Sequence, residues 1–273
     1  MNVKKRLISG LLLSLLLLCA LLTPALAADG STKTYVYNEY GEAVSAPSAY
    51  LCTRVLRGRD LGLGDFSKLT DLYVNGNVYL SDSGNNRIVV LSPEYELVRV
   101  ISEVQESGAA SALNSPSSVF LADGLLYICD TGNSRVVAVD SEDRVVKTFC
   151  KPASDLLTED FAFKPSKVVV NRAGSVYIAA SGVYQGLLHY ESDGSFIEFF
   201  GANKVEVTAA VLLKSMWMNI FSDEQRESLI RTVPTEYAGI FIDSEDMIYT
   251  TTVTASTSQV KRLNASGENI LMY

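Results

Sequence analysis

The feature that most constrains this chain is a repeat. The segment YLSDSGNNRIVVLSPEYELVRVI, starting at Tyr79, returns as YICDTGNSRVVAVDSEDRVVKTF, starting at Tyr127. Five residue types fall in register: Tyr79/Tyr127, Asp82/Asp130, Gly84/Gly132, Asn85/Asn133 and Arg87/Arg135, each 48 residues apart. A third copy carries its tyrosine at Tyr177 and a fourth at Tyr249. A period of roughly 40–50 residues marks a repeat architecture, in which one unit alone cannot bury its apolar surface.

The second unit shows what each copy is made of. Ser117–Ala122, Leu125–Asp130, Arg135–Asp140 and Val145–Phe149 are β-branched and aromatic runs separated by Asp, Gly, Asn and Ser turns. Four such strands predict an antiparallel meander. A meander of this kind has two apolar faces, and stacking copies radially about an axis covers both. That arrangement is a β-propeller. The expected fold is therefore all-β, with four-stranded antiparallel blades near 68–101, 116–150, 165–201 and 237–273.

The motif D-[ST]-G-N-x-R at the turn after each second strand reads first as a built-in clasp. Gly and Asn tolerate the positive φ of a tight reversal. Asp accepts from N–H groups that lack a ladder partner, and the Arg five residues on can meet its carboxylate side-on. The alternative is that Asp82, Arg87, Asp130 and Arg135 hold a ligand or cation. With these residues the pattern resembles the NHL repeat, the unit of a family of β-propellers. The likeness covers roughly 65–273. It is full in the first two copies and faded in the others, where Ala180 and Thr252 stand at the Asp place and Gly186 and Gln259 near the Arg place. The resemblance implies a propeller, commonly six-bladed and mostly used for binding. A more distant resemblance, to gluconolactonase-like propellers, implies a metal at the mouth of the central channel, but no ligand set can be matched here residue by residue.

Two departures shape the expectation further. Between the third and fourth copies the period stretches to 72 residues, and 205–232 has helical character. Val211, Leu212 and Met216 give it an apolar face, and Ser222 with Gln225 forms a capping-box pattern. Inserts between blades fall on one face of a propeller, so Trp217 and Tyr184 are candidates to line a ligand surface; packing of Trp217 onto the blade edges is the competing reading. Four blades plus the stretches Thr34–Asn38 and Ala49–Leu56 make four to five units, fewer than a six-bladed ring needs. The expectation is a truncated member that closes as a smaller ring, continues in a missing C-terminal segment or is completed by a partner.

The first 27 residues read as an export signal. Lys4, Lys5 and Arg6 precede an apolar stretch from Leu11 to Leu22, followed by Ala25-Leu26-Ala27. A basic start, a greasy middle and an A-x-A site are the marks of a secretory signal peptide; a retained anchor is the alternative, although the apolar core is short for a span. The location expected is secreted, extracellular or cell envelope, with no membrane span after cleavage and the propeller occupying 28–273. Removal of three basic residues leaves 20 basic against 31 acidic, a net −11. Such a surface repels nucleic acid.

Chemistry is sparse. With His189 the only histidine, no polyhistidine metal site can form, and no positioned base accompanies Cys52, Cys129 or Cys150. Cys129 lies in an apolar run and reads as a small buried hydrophobe. The acidic fragments ESDGS (191–195), DSEDR (140–144) and DSEDM (243–247) sit where hairpin turns are needed and lack the full calcium-loop layout. No catalytic residue and no cofactor are assigned, with a divalent cation such as calcium left open. The leading expectation is a binding or interaction module for a protein, carbohydrate or small-molecule ligand. The alternatives are a metal-dependent lactonase-like hydrolase and an accessory or sensor subunit of an envelope complex.

Overall fold

The computed structural model describes residues 34–46, 52–157, 161–201, 236–253 and 258–271. Residues 1–27, expected to be an export signal, the insert at 205–232 and Trp217 lie outside these described residues. Two compact units are present, 1–57 and 58–273. In the first, β1 (Thr34–Tyr37) and β2 (Ala43–Ala46) form a hairpin closed by an Asn38 turn. Residues 52–56, expected to continue a strand from Ala49, are irregular instead. Cys52–Val55 are exposed, so no buried apolar face holds them in a sheet.

The second unit is a row of antiparallel meanders. The first blade runs β3 (Leu69–Asn75), β4 (Asn77–Asp82), β5 (Arg87–Leu91) and β6 (Leu97–Ile101). A hairpin of β7 (Glu103–Glu106) and β8 (Ala109–Ala112) follows. The second blade is β9 (Pro116–Ala122), β10 (Leu125–Asp130), β11 (Arg135–Val139) and β12 (Val145–Phe149). The third is β13 (Lys164–Val170), β14 (Val176–Ser181), β15 (Leu187–Tyr190) and β16 (Phe196–Phe200). The fourth comprises β17 (Gly239–Ile242), β18 (Ile248–Val253) and β19 (Ser258–Leu263). Each sheet pairs in simple sequence order. The fourth has three strands among the described residues. Beyond β19, in place of a fourth strand, Asn269 makes an isolated bridge to Leu263.

Local chemistry explains the meanders. In the second blade Asp123 and Gly124 both take positive φ (50° and 75°), the two-residue turn that suits the twist of a hairpin. The broader turns are organised by Asx side chains. Asp140 Oδ1 accepts from the N–H of Glu142 and Arg144, and Asp243 Oδ1 from Glu245 and Met247. Asp193 Oδ1 accepts from Ser195 N–H in the third calcium-like fragment. All three fragments are thus turns.

Burial then orders the blades. The middle strands are apolar on both faces, and in the second and third blades each sheet lies between two others: Ile88–Leu91 and Val136–Val139 are all buried. One core joins Tyr79, Ile88 and Val90 of the first blade to Val119, Leu126 and Ile128 of the second. The next joins Tyr127 and Val136 to Val168, Val176 and Ile178, and a third joins Tyr177 and Phe200 to Ile248 and Leu263. A fully buried side chain of this size contributes about 1.5–3 kcal/mol. The first strands β3, β9, β13 and β17 neighbour one another in that order. Consecutive four-stranded sheets, packed face to face with their first strands innermost, are the blades of a β-propeller.

Candidate functional site

The motif residues fold into two copies of one clasp. Asp82 Oδ2 accepts from Arg87 Nε at 2.7 Å and Asn85 Nδ2 at 2.9 Å, while Oδ1 accepts from Ser67 N–H at 2.7 Å. Asp130 repeats this with Arg135 Nε at 2.8 Å, Asn133 Nδ2 at 2.8 Å and Asn114 N–H at 2.7 Å. Both carboxylates are wholly buried. The two guanidiniums also reach the connection ahead of their own blade. Arg87 Nη1 donates to Leu63 O, and Arg135 Nη1 to Glu106 Oε2 on the β7–β8 hairpin. Burial opposes the charge of Arg135, yet the bonds to Asp130 and Glu106 outweigh it and hold its pKa above the ordinary value.

The glycine of the motif has a different reason from the one expected. Positive φ falls on the residue after Asn, Asn86 at 54° and Ser134 at 55°, not on Gly84 or Gly132. Those glycines are dictated by space. A Cβ at Gly84 would lie 2.4 Å from Ser67 Oγ, and one at Gly132 would lie 2.4 Å from Asn114 Cγ. The Ser/Thr position has its own task, which the sequence reading missed. Ser83 Oγ donates to Pro116 O of the next blade, and Thr131 Oγ1 to Pro165 O of the one after. The motif therefore ties its turn inward and the following blade sideways.

In the third blade the polar clasp is absent. Ala180 is buried, and Phe163 stands where the clasps have Ser67 and Asn114. Phe163, Val183 and Leu157 fill that corner as part of the core. Tyr184, in the loop after β14, is 37% exposed and lies on the same end of the blade row as the clasp turns. His189 is packed, not poised: its ring stacks on Tyr177 at 4.4 Å and meets Phe200 edge-on, with Glu198 Oε1 3.5 Å from Nδ1.

A second polar group lies where the first strands converge. Asp71, Ser118 and Lys167 hold the same register position on β3, β9 and β13, each opposite a second-strand residue just past a bulge. Asp71 Oδ2 accepts from Ser118 Oγ at 2.6 Å and Val119 N–H at 3.3 Å, and Oδ1 takes Lys167 Nζ. Cys129, free and buried behind them, has its thiol pushed well up by burial and by Asp71. Three donors occupy the Asp71 carboxylate, so the group joins the first three blades. Its signal in the sequence is an acid, a hydroxyl and a base two residues before Tyr73, Phe120 and Val169. Among the described residues no three His, Cys, Asp or Glu side chains are grouped to hold a metal ion. Among them also, no helix is long and apolar enough to cross a membrane.

This architecture places the chain in the β-propeller class. No family model and no curated protein matches it. Among solved structures 206 chains match. One is a streptogramin B lyase structure at 10% identity and a TM-score of 0.41; the match covers 86% of this chain and 65% of that one, so this chain spans less than two thirds of its length. A likeness of that degree carries no inference about activity, and the class rests on the sheets themselves.

Proposed function

We propose that this chain is an exported NHL-type propeller that acts as a binding module and not as a catalyst. One observation carries the reading: the charged residues supplied by the recurring motif are consumed inside the blades. Asp82 and Asp130 are buried with three donors each, and Asp71 is likewise filled. A general base, nucleophile or metal ligand needs a free lone pair facing a substrate; three donors leave each of these carboxylates about one acceptor site, and Asp82 and Asp130 have no exposed surface from which to offer it. What the blade row presents instead is its ends and faces. The loop end carries Gly84–Asn86, Gly132–Ser134 and Tyr184, a polar surface with one aromatic platform suited to a peptide or carbohydrate.

Export rests on the pattern of residues 1–27, and the NHL reading on the two full motif copies. Intact mass of the secreted chain tests the first, with loss of the segment through Ala27 or Ala28 expected. The second reading, a lactonase-like hydrolase, has no donor set among the described residues to support it. Lactone turnover and melting temperature measured with calcium, zinc or a chelator separate the two. The binding reading expects neither turnover nor a shift of several degrees, and chelator-sensitive turnover would overturn it.

A further inference from the structure

The connection into the third blade differs from the two before it. In the first two blades the motif arginine holds its own connection, Arg87 at Leu63 O and Arg135 at Glu106. The third blade has no such arginine, and Gln185 Nε2 holds Leu156 O at 3.0 Å instead. Around that bond the connection turns apolar side chains outward. Leu156 is 62% exposed, Ala153 and Ala162 are exposed, and Phe161 is half-buried where its ring closes over Gly182. The matching stretches ahead of the first and second blades present Arg59, Asp60 and Asp65, and Glu103 and Gln105.

The connection out of the third blade starts beside this corner. Phe200, the last residue of β16, pairs with Leu187, two residues past Gln185. Gly201 follows, and its carbonyl accepts from the hydroxyl of Tyr237. Residues 202–235 therefore leave and return at one point, on the end of the third blade that carries Leu156. Their sequence places Leu212, Leu213, Met216, Trp217 and Ile220 at the i, i+1, i+4, i+5, i+8 spacing of one helix face. A stripe of that width is stable in water only when it is laid on another apolar surface.

We infer that this segment docks its apolar stripe on the Leu156–Phe161 corner of the third blade. The occupant is this segment because both of its ends are rooted beside the corner, so it meets that surface without the cost of bringing two molecules together. An apolar corner and an apolar connection then cover one another, where the earlier connections are held by arginine. A ligand at the turns of the first two blades is compatible with this docking. Failure of the binding reading and failure of this inference are therefore separate results.

Trp217 is the only tryptophan in the chain, so its fluorescence reports on the segment alone. The expected emission is blue-shifted and less open to acrylamide than in the urea-unfolded chain, at every protein concentration. Leu156→Asp and Leu213→Asp each move emission and quenching towards the unfolded values, while far-ultraviolet circular dichroism keeps the signal of the blades. Val146→Asp, at a 50% exposed site on the outer strand of the second blade, leaves both unchanged. Should Leu156→Asp disturb the fold, Leu156→Ser gives the same reading with a milder change. Native emission equal to that of the unfolded chain overturns the proposal. So does a protected Trp217 that ignores the change at Leu156, since the stripe then packs elsewhere. Protection that disappears on dilution overturns it as well, by showing that a second copy supplies the cover.

Discussion

Gly132 shows how a single position can be read rightly for the wrong reason. Its place in a turn suggests a need for positive φ, but the residue that adopts it is Ser134, and Gly132 is there because Asn114 leaves no room for a Cβ. The Asn114 backbone is held, its N–H by Asp130 and its carbonyl by Gly132 N–H at 2.8 Å, so its side-chain amide, which Ser115 Oγ meets at 3.4 Å, would have to turn aside. Gly132→Ala is therefore expected to destabilise by about 1–3 kcal/mol, the range for forcing an extra carbon into a packed site. Gly84→Ala should behave alike against Ser67. Urea melts measure both, and a loss below a few tenths of a kcal/mol would contradict the steric account.

At the scale of the blade, much was legible because the pattern is local. The second blade's strands follow the turns that bound them, Asp123-Gly124 and Thr131–Ser134, and start or stop within a residue of the expected places. The Asp–Arg pairing was legible too, since a four-residue turn leaves the guanidinium facing the carboxylate across the ladder. What stayed hidden depends on neighbours distant in sequence. Nothing near Ser83 announces Pro116 O, and the faded third copy does not reveal that Phe163 replaces a polar partner. The buried tyrosines give a measurable consequence at this scale. Burial raises the pKa of Tyr127, Tyr177, Tyr190 and Tyr237, with nearby acids adding to it for Tyr127 and Tyr177. Below the ordinary value near 10 both folded and unfolded chains keep these protons, and stability is unaffected. Above it the unfolded chain releases protons that the folded one retains, so stability falls as pH rises. Absorbance at alkaline pH should show a late class of tyrosines that ionise together with loss of the fold. Free titration of all tyrosines near pH 10 in a still-folded chain would refute this.

At the scale of the molecule, the blades are joined by more than apolar faces. Lys167 of the third blade reaches Asp71 of the first, passing the second, whose Ser118 donates to the same carboxylate. Lys167→Met keeps the stem and removes the charge, leaving Asp71 with two donors in a mostly buried place. A loss of about 1–3 kcal/mol is expected, the usual cost of stranding one side of a charged hydrogen bond. Chemical denaturation checks it, and an unchanged midpoint would show that the tether is idle. The geometry of that tether reaches beyond stability. Two spokes that are not adjacent can touch only where their inner edges run close, so between the first and third blades the innermost space is taken up by the side chains of Asp71, Ser118 and Lys167.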